Sequence, residues 1–248
     1  MNKNKIISVI IPYFKKKLFF RKTFNSITHQ KFKNFEIIII YDDEDKTDLD
    51  HIKSIIKNKK NIKLIINHKN LGAGLSRNKG IKIAKGKYLA FIDADDIWKK
   101  TKLEKQVKFM LDRNINFCHT TYQIINDKNE FISLRKARNF FSIKDLIKSC
   151  DIGLSTVLLK KEILGLNKFS DLKTKEDFVL WLKLISNNIK IYGIDEELAL
   201  WRKTNNSLSA SLFQKIIDGY RVYNVYMKFN MIKSIYYLFC LSINFLKK

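Results

Sequence analysis

Proline occurs once in this chain, as Pro12, and no Pro-rich linker, internal repeat or low-complexity block divides its 248 residues. A chain of that length can bury a substantial core. Cysteine is scarce too: Cys118, Cys150 and Cys240 are odd in number, far apart and without metal-site spacing. That excludes a small disulfide scaffold and reads as reduced thiols in a cytosolic compartment. The four histidines, His29, His51, His68 and His119, show no paired spacing and nominate no ligand set. Acidic residues are the minority, 24 against 48 basic ones, for a formal charge of +24. Such a surplus favours polyanions, whether nucleic acid, anionic lipid or sugar nucleotides, without choosing among them. No zinc finger, RNP-type strand or Arg-rich helix accompanies it, so nucleic acid is not an expected partner.

Long hydrophobic runs are missing as well. The start, MNKNKIISVIIPYF, places charge before an apolar run as a signal peptide does. The run is short, meets Pro12 and then Lys15 to Lys17, and has no small-residue cleavage site, so it reads as a first strand. No segment reaches the roughly 18 uninterrupted apolar residues of a spanning helix. The nearest, Phe229 to Leu246, is broken by Lys233 and two asparagines and followed by Lys247 and Lys248. Two readings of this tail stand side by side: an interfacial helix with its lysines at lipid head groups, or a helix packed on the core.

What is present is a repeated alternation. Apolar runs at Ile6 to Ile11, Glu36 to Tyr41, Ile62 to Ile66 and Tyr88 to Ile92 are separated by segments long enough for helices. That pattern predicts an α/β fold with a mostly parallel central sheet flanked by helices. The first helices are expected over Leu18 to His29 and Leu49 to Asn58. A third opens at LGAGLSRNKG, whose Gly72 and Gly74 suit either a helix start that needs close packing or N–H groups turned to phosphate. Leu103, Val107, Met110 and Leu111 recur at helical spacing and predict a helix over Lys100 to Arg113. Strand-like pieces follow at Asn116 to Ile125 and Ser155 to Leu159. TKEDFVLWLKLISNN, Thr174 to Asn188, predicts a helix with Phe178, Trp181, Leu182 and Ile185 on one buried face.

Two acidic clusters carry the chemistry. Asp93, Asp95 and Asp96 emerge together from the strand Tyr88 to Ile92, where ligands of open α/β sheets bind. Their mutual repulsion calls for full solvation or a hard divalent metal, Mg²⁺ or Mn²⁺. The local alternative makes Asp96 the N-cap of a helix near Trp98. Glu176 and Asp177 fall in the first turn of the late helix, where carboxylates are favourable for local reasons and Thr174 with Asp177 resembles a capping box.

Taken in order, IISVIIPYF, FEIIIIYDDEDKTD, NLGAGLSRNKGI, GKYLAFIDADDIW and KEDFVLWLKL resemble the family 2 glycosyltransferases, which have the GT-A fold. The resemblance runs from Ile6 to Ser209. It implies a Rossmann-like nucleotide-sugar-binding half over residues 1–98, an acceptor and catalytic half over 99–215, and a helical tail over 216–248. It also implies an enzyme that transfers a sugar with inversion from a nucleotide sugar, a UDP-sugar being the expected donor, to a glycan or lipid-linked glycan. Position by position, Pro12 and Tyr13 would wall the base and Asp42 would bond it. Arg77 would face base and phosphates. Asp93 would lie near the ribose and Asp95 on the metal. Glu176 and Asp177 match the family's xED motif, with Asp177 the general base, and Arg202 in Trp201 to Ser209 would contact the diphosphate. The family's usual Asp-Asp-Gly-Ser is replaced here by Tyr41 followed by Asp42, Asp43, Glu44 and Asp45, which leaves the base contact to either Asp42 or Asp43.

The alternatives are a nucleotide-binding GT-A-like protein without transfer and a basic nucleic-acid-binding protein. The expected setting is the cytoplasm or, through the tail, an anionic surface at the inner face of the cell membrane, in the building of a bacterial surface polysaccharide or lipooligosaccharide.

Overall fold

The structure is a computed structural model that describes residues 6–204 and 211–246. Four apolar runs form strands β1 (Ile7–Tyr13), β2 (Phe35–Tyr41), β3 (Ile62–Ile66) and β4 (Tyr88–Phe91), lying in the order β3-β2-β1-β4. All three pairings are parallel. Helices α1 (Lys17–Thr28), α2 (Leu49–Ile56) and α3 (Ala73–Ile83) are the crossovers. They cover both faces of the sheet, so every residue of β1 and β2 is buried and continuous apolar runs replace the alternation of a half-solvated sheet. The chain leaves β1 toward β2 on one side and returns to β4 on the other. That reversal opens a crevice at the carboxyl ends of β1 and β4.

Beyond it come β5 (Ile97–Trp98), α4 (Lys102–Asp112), β6 (Phe117–Ile125), β7 (Phe131–Arg135), α5 (Ile143–Leu146), β8 (Leu158–Lys160), α6 (Glu176–Ser186), β9 (Tyr192–Arg202), α7 (Leu212–Arg221) and α8 (Met231–Leu246). The sheet runs on through β8, β6, β9 and β5, with β7 on β6. β8 is antiparallel to both β4 and β6, while β6 and β9 are parallel. The halves expected on either side of Trp98 therefore share one nine-stranded sheet.

The predicted helices form with small shifts, and three local expectations are corrected. Asp96 caps no helix: Ile97–Trp98 is a strand on β9, and α4 opens only at Lys102. Leu111 is 60% exposed, because the buried stripe of α4 runs through Leu103, Val107 and Met110 instead. Helix α6 has no capping box; its first-turn boundary is Lys175 in the left-handed region, with no side chain bonded to the cap.

α6 is also more deeply set than an amphipathic helix. Besides Phe178, Trp181, Leu182 and Ile185, it buries Val179, Leu180 and Leu184. The segment Val222–Tyr226 and α8 close over it, with Tyr223 and Leu241 buried in the same cluster. The tail thus packs on the core with its inner side. Its outer side leaves Phe213, Met231, Ile232 and Phe239 each more than 60% exposed.

Candidate active site

The two acidic clusters meet on one guanidinium. Arg77 projects from α3, which is brought close by Gly74: a Cβ there would lie 2.3 Å from the carbonyl oxygen of Ser170 and 3.1 Å from Cγ of Glu176. That contact is under the limit of ordinary packing, so Gly74 serves close approach. Arg77 is 2% exposed and donates to Asp93 Oδ1 at 2.6 Å and to Glu176 Oε1 at 2.5 Å. Burial alone would lower its pKa; Asp93 and Glu176 more than offset this and raise it. Arg77, expected to face base and phosphates, ties the end of β4 to the start of α6.

Next to it, Asp95 is 7% exposed, and its Oδ2 lies 2.6 Å from Nζ of Lys16, at the entry to α1. Burial raises the carboxyl of Asp95, with Lys16 opposing. Asp96 is fully buried, accepts from the Ser155 hydroxyl and, at 2.8 Å, from the Arg202 N–H, and is pushed well up by burial and by Asp95 and Asp93. It braces the loop from beneath. Arg202 is 2% exposed, and its guanidinium donates to the carbonyl oxygens of Asp95 and Asn126 and to Asn129 Oδ1, lying over Phe19. Arg202, expected to contact the diphosphate, thereby fixes the backbone of the acidic loop. The rest of that expected segment, residues 205–209, lies outside the described residues.

On the nucleotide side, Pro12 and Tyr13 close β1 and are buried. The Tyr13 ring stacks on Tyr41 with centroids 5.3 Å apart and donates its hydroxyl to Asp48. It therefore backs the crevice. The neighbouring Phe14 is the aromatic that reaches solvent, 37% exposed. Tyr41, which stands at the departure from the family pattern, supplies the other half of that stack. Asp42 accepts from Asn67 Nδ2 at 2.7 Å and from the Leu71 N–H at 2.9 Å. Its carboxylate organises the loop into α3. Asp43 accepts only a long bond, 3.2 Å, from the Asp45 N–H among the described hydrogen bonds. Burial raises its carboxyl.

Asp177 is half-buried beside Glu176 and accepts from the N–H of Phe178 at 2.7 Å. Its carboxyl is pushed up to about 7, first by burial and then by Glu176, with Arg77 opposing. A carboxylate poised near neutrality can take a proton from a bound hydroxyl and release it to solvent. Sequence reasoning missed Lys16, which it used only as a break in an apolar run, and Ser155, which carries no motif of its own.

No group of three or more metal-ligating side chains is assembled among the described residues. The donor set nonetheless suits a hard cation. Asp93 and Asp95 offer only carboxylate oxygens, Asp93 is 35% exposed, and a positive charge already sits against Asp95.

The sheet order, the crevice and the acidic pair can be compared with known proteins. The description of glycosyl transferase family 2 matches residues 8–157. The UDP-Glc:alpha-D-GlcNAc-diphosphoundecaprenol beta-1,3-glucosyltransferase WfgD of Escherichia coli is 32% identical over 235 residues, 94% of this chain and 90% of its own. Among solved structures, S. aureus TarS 1-349 in complex with UDP-GlcNAc superposes with a TM-score of 0.74 at 23% identity, covering 94% of this chain and 70% of that one. The mannosyltransferase PcManGT from Pyrobaculum calidifontis, solved with GDP-Man and Mn²⁺, superposes at 0.69 with 12% identity, over 94% of this chain and 69% of that one. The solved structures share the fold, the family match spans the strands of the first half, and the relative matches 94% of the chain: this chain belongs to glycosyl transferase family 2 and is a glycosyltransferase.

Proposed function

We propose that the protein moves a sugar, with inversion, from a UDP-sugar to a hydroxyl of a lipid-linked glycan, at the inner face of a bacterial membrane, in the building of a surface polysaccharide. The observation that supports this reading is the Arg77 bridge, which holds Asp93 and Glu176 on one guanidinium, with Asp177 next to Glu176 and near enough to feel the charges of Arg77 and Asp93. Inversion needs a base and a leaving group on opposite sides of the anomeric carbon. Two carboxylate groups separated by an arginine suit that division.

On the donor side, Asp43 retains the acceptor capacity to bond the base, and Phe14, directly after β1, offers an exposed ring. Asp95, with Asp93, would hold Mn²⁺ or Mg²⁺. Such an ion, when bound, stabilises negative charge gained by a departing diphosphate as a Lewis acid. Lys16 marks that place as one built for positive charge. On the acceptor side, Asp177 takes the proton of the attacking hydroxyl, a role typically worth about 10²- to 10⁴-fold in rate. The outer side of α7 and α8, with lysines set over aromatic rings at Phe229 and Phe245, suits an anionic lipid surface. Among the described residues no helix is long and apolar enough to cross a membrane.

The test is a screen of nucleotide sugars with Mn²⁺ for a raised Tm, because a ligand that binds only the native state stabilises it. UDP-sugars are expected to raise Tm in wild type and not in Asp95→Ala. Stabilisation by no nucleotide sugar, or equal stabilisation of the variant, contradicts the assignment.

A further inference from the structure

A buried carboxylate on α7 holds the turn that presents the proposed base. Asp218 is fully buried, and its Oδ2 accepts from the Thr174 N–H at 2.9 Å and from the Thr174 hydroxyl at 3.0 Å. Thr174 stands three residues ahead of Asp177. Between them, Lys175 adopts φ +64°, a left-handed conformation that a Cβ disfavours. No side chain caps the start of α6, and the Asp177 carboxylate bonds the N–H of its own neighbour. The turn therefore has no pin of its own and is held from outside, by Arg77 on Glu176 and by Asp218 on Thr174. The other Asp218 oxygen faces the Arg221 guanidinium at 3.9 Å. Gly219 lets α7 come close enough: a Cβ there would lie 2.8 Å from Leu238 Cδ1 of α8 and 3.5 Å from Cε of Lys175.

We propose that Asp218 is a positioning residue for transfer, fixing the Thr174 turn and with it the direction in which Asp177 offers its carboxylate to the acceptor. It touches neither donor nor reacting atoms. The inference rests on Asp177 being the general base. Its wider consequence is that the tail, whose outer side is apolar, adds a polar link through Asp218 to the apolar packing that holds it on α6.

The experiment compares wild type with Asp218→Ala, Thr174→Val and Asp177→Asn. It uses the nucleotide sugar that most raises Tm and follows release of nucleoside diphosphate against pH, with UDP affinity measured by titration calorimetry in Mn²⁺. Asp218→Ala is expected to lower kcat by about 10- to 100-fold, the scale of misplacing a reacting group by an ångström. It should displace the acid limb of the pH profile and leave UDP affinity unchanged. Thr174→Val keeps the backbone bond and loses only the hydroxyl, so it should fold even if Asp218→Ala does not, and show the same split to a smaller degree. Unchanged kcat and pH profile in either folded variant overturns the proposal, as does a fall in UDP affinity that matches the fall in kcat. An active Asp177→Asn removes the base assignment itself; an inactive one beside a fully active Asp218→Ala removes only the role of Asp218.

Discussion

Arg77 shows how much can rest on one side chain. It is buried, paired on both sides with carboxylates, and set at the joint between β4 and α6. Removing one member of a buried ionic group leaves the others uncompensated, typically at a cost of about 3–5 kcal/mol. Arg77→Met is therefore expected to lower stability on that scale in urea titrations, and an unchanged midpoint would show that the bridge is dispensable. Lys102 is the opposite case. It is fully buried, bonds only Gln106 among the described side chains, and lies over Trp98 with no carboxylate partner. Burial pushes it down to about 7. An unfolded lysine holds its proton up to about 10.4, so between pH 7 and that value the unfolded chain binds more protons, and stability rises with pH. Lys102→Met should stabilise the protein by about 1–4 kcal/mol near neutral pH, by analogy with replacing buried ions by apolar groups. It should also flatten that rise, and a variant with the slope of wild type would refute the assignment.

At the scale of elements, α6 brings activity and stability into opposition. Asp177 is raised from an ordinary carboxyl to about 7 by burial and by Glu176, so between those values the folded protein binds the extra proton and stability falls as pH rises. Activity should move the other way, increasing through pH 7 as the base ionises. Asp177→Asn is expected to be more stable than wild type at pH 8, with the gap closing toward pH 4; a gap independent of pH would place the ionisation elsewhere. The elements themselves were mostly legible. Branched apolar runs at Ile6, Glu36, Ile62 and Tyr88 specify the parallel strands, because period and composition report burial on both faces. What sequence could not supply were long-range partners. Asp96 looks like a helix cap until Ser155 and the Arg202 N–H, 59 and 106 residues away, claim it. Thr174 looks like a cap until Asp218 takes its hydroxyl. Lys16 became a site residue only when β1 and β4 were set side by side.

Across the whole molecule, the charge of +24 is spread along the chain, and its functional reading comes from where apolar surface accompanies it. The outer side of α7 and α8 carries Phe213, Ile216, Met231, Ile232, Tyr236 and Phe239 open to solvent, beside Lys148, Lys215 and Lys233 over aromatic rings. The protein should co-float with vesicles containing anionic lipid and release as salt rises. Ile232→Asp with Phe239→Asp should abolish flotation, and equal flotation by that variant would move the contact elsewhere. The proposed activity rests on a division of labour between carboxylates, Asp93 and Asp95 on one side of Arg77 and Asp177 beside Glu176 on the other. The measurement that tests it most directly is turnover and UDP-sugar affinity of Asp177→Asn with Mn²⁺. Turnover should fall by about 10²-fold or more with affinity intact; turnover at the wild-type rate, or loss of affinity together with turnover, would contradict it.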